Sequence, residues 1–125
     1  MYFITTLFTS IFIIMYLVLT IFAIRARRKA RIPIGSGSDE SLLRATRAHG
    51  SFIEHTIFFL ISMFLLENNG VNQIYLYSVS FIFVIARISH AVSFYLKKGI
   101  LRQVGVMITI TCYVSNLVYL IKSLS

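Results

Sequence analysis

The 125-residue sequence predicts an all-α integral membrane protein, a bundle of four transmembrane helices, and three observations lead there. Hydrophobic residues make up 58% of the chain and charged residues 13%, against about 25% charged in an average soluble domain. Four long apolar runs recur, each close to the roughly 20 residues that a helix needs to cross a bilayer. The basic residues gather in the short connections between those runs.

The first run, Met1 to Ile24, holds no charged residue. It lacks the basic start and small-x-small cleavage site of a removable signal, so it reads as a retained helix over about residues 2–24. A basic cluster follows (Arg25, Arg27, Arg28, Lys29, Arg31), and then Pro33 and Gly35-Ser36-Gly37-Ser38 break regular structure. Ser38 or Asp39 is a natural N-cap for the second helix, and Glu40 falls in its first turn, where the helix dipole favours a carboxylate. That helix is expected over about 40–67. Asn68-Asn69-Gly70 tolerates a tight turn. The third helix is expected over about 73–96, closed by Lys97-Lys98-Gly99, and the fourth over about 101–121. The whole chain, 1–125, then forms a single membrane domain.

The first connection carries Arg25 to Arg31 and the third carries Lys97, Lys98 and Arg102, whereas Glu67 to Gln73 carries no Lys or Arg. By the positive-inside rule the two basic connections lie in the cytoplasm and both termini outside. The same distribution accounts for the net charge of +8. Nucleic-acid binding needs a soluble basic face interleaved with exposed aromatics, which this pattern does not supply. Cys112, the only cysteine, lies in an apolar run and is expected to behave as a small hydrophobe. No metal-ligand spacing, phosphate-binding glycine loop or serine-nucleophile elbow occurs.

Ionisable residues inside spanning helices are costly and usually face the bundle interior or a water-filled cavity. On the second helix, steps of three, four and three residues put Arg44, Arg47, Ser51 and Glu54 on one stripe, with His55 beside it. The third helix carries Arg87, His90 and Phe94. Arg102 opens the fourth. Glu54 lies ten residues beyond Arg44, and Arg87 ten before Lys97. At about 1.5 Å per residue both sit roughly 15 Å deep, where pairing would relieve each charge. An ion pair between Glu54 and Arg87, within or between subunits, is therefore expected. With Arg47, His49, Ser51, His55, His90 and Arg102 on the cytoplasmic half, the pattern predicts a positive, half-buried cavity with one carboxylate. Such a site suits a small anionic ligand that also bears an ammonium group. His49 fits an interhelical hydrogen bond better than a ligand role.

The segment Arg47-Ala48-His49-Gly50-Ser51-Phe52-Ile53-Glu54-His55 resembles the second-helix motif of the MAPEG family, the membrane-associated proteins in eicosanoid and glutathione metabolism. The similarity continues through Leu66-Glu67-Asn68-Asn69-Gly70, Ala86-Arg87-Ile88-Ser89-His90 and the Lys-Lys-Gly-Ile-Leu-Arg segment ending at Arg102. It spans about residues 21–121 and is nearest to small bacterial members. The resemblance implies a homotrimer in a bacterial inner membrane, with glutathione as co-substrate bound between subunits near the cytoplasmic side. It assigns Arg47, Glu54, Ser51, His55, His90 and Phe94 to the glutathione site, adds Arg27 as a further carboxylate contact, and gives Arg102 the catalytic role of stabilising the thiolate. The implied function is a transferase or peroxidase acting on lipophilic electrophiles or hydroperoxides that arrive through the membrane lipids.

Three positions depart from the family pattern: Ser51 replaces an asparagine, Ile57 a proline and Phe94 a common tyrosine. Those changes leave room for a non-catalytic lipid-binding or scaffold protein of the same fold. A small four-helix multidrug exporter is the third reading, but its carboxylate belongs in the first helix, which here has none.

Overall fold

The computed structural model describes residues 1–125 and contains four helices and no strand: α1 (Phe3–Ala30), α2 (Glu40–Asn68), α3 (Gln73–Leu96) and α4 (Gly99–Lys122). All four are long and apolar enough to cross a membrane. The mean hydropathy of their most apolar stretches is 2.6, 1.4, 1.7 and 1.9 in chain order. The second value is lowest because α2 also carries most of the in-membrane charge.

Two boundaries differ from expectation. α1 does not stop at Ile24 but runs on through the basic cluster to Ala30. Arg, Lys and Ala are good helix formers, and Arg27, Arg28 and Lys29 complement the C-terminal end of the helix dipole. The helix stops only at Arg31, which adopts a left-handed conformation (φ 57°) and returns its N–H to Arg27. α4 starts at Gly99, two residues earlier than expected. Asp39 is the α2 cap, its carboxylate accepting from the Leu42 N–H at 2.8 Å. Asn72 caps α3 in the same way through Ile74.

α1 packs against α2, α3 against α4, and α2 also meets α3 and α4, while α1 and α4 do not touch. The bundle is therefore open, with α2 and α3 in the middle. Its centre is aromatic. Phe59 and Phe83 stack at 3.8 Å between ring centroids, and Phe12 and Tyr113 meet both edge-on. Such contacts add about 0.5–1.5 kcal/mol per pair beyond area burial.

Polar side chains tie the end away from the basic loops. Glu67, near the end of α2, accepts from the N–H groups of Ile4 (2.8 Å) and Thr5 (2.7 Å) and from the Thr5 hydroxyl. A carboxylate from one helix thereby caps the N-terminus of its neighbour, satisfying donors that would otherwise lack partners. Deeper in, Tyr75 donates to Asn116, and Asn116 donates to Ser62, joining α3, α4 and α2.

The interface between α3 and α4 is close because of small residues. The buried stripe of α4 is Gly105, Thr109, Cys112 and Asn116. A Cβ on Gly105 would lie 2.8 Å from the Ala86 carbonyl oxygen and 3.0 Å from the His90 Cβ. Close backbone approach through small residues is how membrane helices gain packing energy without a hydrophobic driving force. Cys112 is buried and unpaired, as a small hydrophobe would be.

Candidate functional site

The basic connections and the polar stripe of α2 converge on one cavity of about 650 Å³. This falls within the roughly 300–1,000 Å³ typical of small-ligand sites. α2 contributes Arg44, Arg47, Gly50, Ser51 and Glu54. The end of α3 contributes His90, Ser93 and Phe94, and the following turn and α4 contribute Lys97, Lys98 and Arg102.

Each wall has a local cause. The three-four-three spacing keeps Arg47, Ser51 and Glu54 on one α2 face, and Gly50 beside them leaves space. On α3, His90, Phe94 and Lys97 follow at four- and three-residue steps, so they share a stripe. Lys97 closes α3 in a left-handed conformation (φ 57°), and Lys98 returns its N–H to the Ser93 carbonyl. This turn brings Arg102 back over the end of α3, where its guanidinium stands 5.6 Å from the centre of the Phe94 ring. Gly105, a turn later, holds α4 against Ala86 and His90.

The lining is electrostatically lopsided: Arg44, Arg47, Lys97, Lys98 and Arg102 face a single carboxylate, Glu54. Arg44 is partly engaged by Glu40 at 3.2 Å, the one ion pair in the chain. Such a lining complements a small anion that also carries one positive group.

Not every expected residue reaches the cavity. Arg27, expected as a carboxylate contact, donates instead to the backbone carbonyls of Gly35 (2.7 Å) and Ile32 (3.3 Å), bracing the α1–α2 connection. The extra turn and a half of α1 carries it there. His55 also lies elsewhere: its Nδ1 is 2.8 Å from the Ser51 carbonyl oxygen, and its ring lines a separate groove between α2 and α4 with Tyr113 and Asn116. Glu54 borders both spaces. His49 sits against α1, its Nε2 3.0 Å from the Thr20 hydroxyl and its ring tilted over Tyr16.

The expected ion pair between Glu54 and Arg87 is not formed. Arg87 is 1% exposed and donates from Nη2 to the Thr109 hydroxyl at 2.7 Å. Its guanidinium stands 5.9 Å from the centre of the Phe83 ring. Glu54 is exposed on the outer side of α2. Equal depth placed the two residues at one level, but they occupy different faces. Within the subunit, burial keeps Arg87 away from the face that carries Glu54.

Lys97, Lys98, Ser93 and Gly50 belong to the lining and were not singled out from the sequence. The signal existed for the first three, since they continue the stripe of His90 and Phe94. Thr109 was also missed. It was the one hydroxyl on the small-residue face of α4 that continues Arg102 and Gly105.

A family model, that of the MAPEG family, matches residues 5–122 of this chain. The chain belongs to the MAPEG family. No curated protein and no solved structure matches it. MAPEG membership supports a multi-pass membrane protein with a function related to glutathione or eicosanoids in general terms. It gives no support to the exporter reading.

Proposed function

We propose that this protein is a glutathione-dependent membrane transferase or peroxidase acting on lipophilic electrophiles or hydroperoxides. The observation that carries this reading is the single cavity joining Arg47, Ser51, Glu54, His90, Phe94 and Arg102 from three helices. When bound, glutathione supplies the sulfur nucleophile. Arg47, Lys97 and Lys98 would hold carboxylates, and Glu54 the ammonium group. Arg102 would favour the ionised sulfur, because a guanidinium beside a thiol in a poorly solvated site lowers the thiol pKa from about 8.5. Phe94 fixes Arg102 through its ring face, a contact worth about 0.5–1 kcal/mol at an exposed site.

Glu54 is exposed in the isolated subunit. A charge at its depth on an outer face calls for a covering surface, which supports the homotrimer with the ligand between subunits. The basic loops support a cytoplasmic placement of the site, with both termini outside.

The test is turnover by purified oligomer supplied with glutathione and either a lipophilic electrophile or a lipid hydroperoxide. Glutathione consumption that saturates and falls in Arg47→Ala supports the reading. Its absence, with the oligomer intact, favours the non-catalytic lipid-binding reading, to which Phe94 already points by lacking a hydroxyl.

A further inference from the structure

A second basic site lies at the same end of the bundle, on the opposite side of α2. A recess of about 300 Å³ is lined by Phe22, Arg25 and Lys29 of α1, Ser41 and Ala45 of α2, and Tyr95 of α3. It shares no residue with the large cavity.

Its upper part is cationic. Arg25 and Lys29 are one helical turn apart and so project to the same side. Neither is paired with a carboxylate. Ser41 and Tyr95 bring hydroxyl groups to the same recess.

Depth identifies the surroundings. Arg25 is the first charged residue after 24 uncharged ones, and Tyr95 stands two residues before Lys97. Both mark the level at which hydrocarbon gives way to headgroups, where tyrosine is enriched. The lower part is apolar. Phe22 and Tyr95 meet edge-on at 5.7 Å. Exposed Val18 on α1 and exposed Val92 and Ile88 on α3 continue the same faces toward the membrane centre.

An inorganic anion would use only the upper half of this arrangement. An amphiphile with an anionic head would use both halves. We propose that the recess binds the phosphodiester headgroup of an anionic phospholipid, with an acyl chain lying along α1 and α3. Arg25 and Lys29 contact the phosphate, Tyr95 and Ser41 donate hydrogen bonds to it, and Phe22 seats the start of the chain. This site is independent of the glutathione reading.

The experiment is native mass spectrometry of the detergent-purified protein titrated with phosphatidylglycerol or phosphatidylcholine. The wild type is compared with Arg25→Gln/Lys29→Gln and with Arg28→Gln/Arg31→Gln, which removes the same charge outside the recess. The recess variant is expected to lose about thirtyfold in phosphatidylglycerol affinity, the expectation for two basic side chains beside a headgroup. The control variant is expected to stay close to wild type. Equal losses in both variants would overturn the proposal in favour of diffuse surface attraction. Two wild-type measurements test it without any variant. Binding of phosphatidylcholine equal to that of phosphatidylglycerol would overturn it. Displacement of phosphatidylglycerol by equimolar glycerophosphoglycerol would show a free-anion site and overturn it as well.

Discussion

Arg87 donates to the Thr109 hydroxyl inside the bundle, while Glu54 faces outward from α2. The two charges therefore have separate duties. The Thr109 hydroxyl itself donates a hydrogen bond to the Gly105 carbonyl at 2.8 Å, so Arg87 binds α4 through a hydroxyl whose orientation is already set. Replacing Thr109 by Val removes the only hydrogen-bond partner of a buried guanidinium. Such a loss costs about 1–3 kcal/mol, more for a charged group. Arg87→Met removes the buried charge itself and is expected to be neutral or stabilising, as exchanges of buried ionic groups for apolar ones often are. Added to Arg87→Met, Thr109→Val should then cost little. Denaturant unfolding of the four proteins in a double-mutant cycle checks this, and additive effects would remove the contact from the account.

Glu54→Gln separates the same two residues from the other side. Because Glu54 makes no ion pair in its subunit, the stability of the protomer should change by less than about 0.5 kcal/mol. Glutathione affinity should fall about tenfold or more, the loss expected for a hydrogen bond to a charged group. Calorimetric titration with glutathione, beside the unfolding curve, reads both quantities.

Gly105→Ala should destabilise the protein by about 1–3 kcal/mol, the usual cost of overpacking a close interface. The added methyl would meet the Ala86 carbonyl oxygen, backbone that cannot swing away. The α3–α4 wedge carries His90 and Arg102 into the cavity, so glutathione binding should weaken in parallel. A thermal melt and a binding isotherm on one sample test this, with Gly50→Ala, where the Cβ meets open space, as the tolerant comparison in the melt alone.

Glu67→Ala should cost about 0.5–2 kcal/mol, as loss of a helix cap does. It uncouples the N-terminus of α1 from α2 at Ile4 and Thr5. Hydrogen exchange should rise in the first turn of α1 and stay unchanged at the basic end.

Much of this architecture was legible because membrane helices obey few rules. Uncharged length gave the spans, and turn residues such as Asn68-Asn69-Gly70 gave a boundary. Asp39 declared itself as a cap. The α1 terminus was misplaced because charge was taken as the end of a helix, whereas Arg25 to Lys29 extend it beyond the hydrocarbon. At the site, periodicity placed Arg47, Ser51 and Glu54 together, since spacing alone fixes a helix face. It did not exclude Arg27 or His55, whose positions depend on where α1 ends and on which side of α2 meets α4. Within the subunit the Glu54–Arg87 pair does not form for a related reason: counting residues gives depth, not azimuth. Thr109 was invisible to a search for opposite charges because the partner of the buried cation is neutral.

Phe94 offers a sharp test of the cavity wall. Phe94→Tyr adds a hydroxyl at the cavity wall and keeps the ring face toward Arg102. Glutathione affinity should rise by about 0.5–1.5 kcal/mol, the net value of one hydrogen bond. Phe94→Leu removes the ring and should lower it. Equal affinities in the three proteins would take Phe94 out of the site.

The central claim is that the cavity holds glutathione with its sulfur ionised by Arg102. Ultraviolet titration for thiolate on adding glutathione to the detergent-purified oligomer, beside Arg102→Ala, tests it most directly. The account predicts a saturable thiolate signal in the wild type that the variant loses. No signal in an intact wild-type oligomer, or an equal signal in the variant, would contradict it.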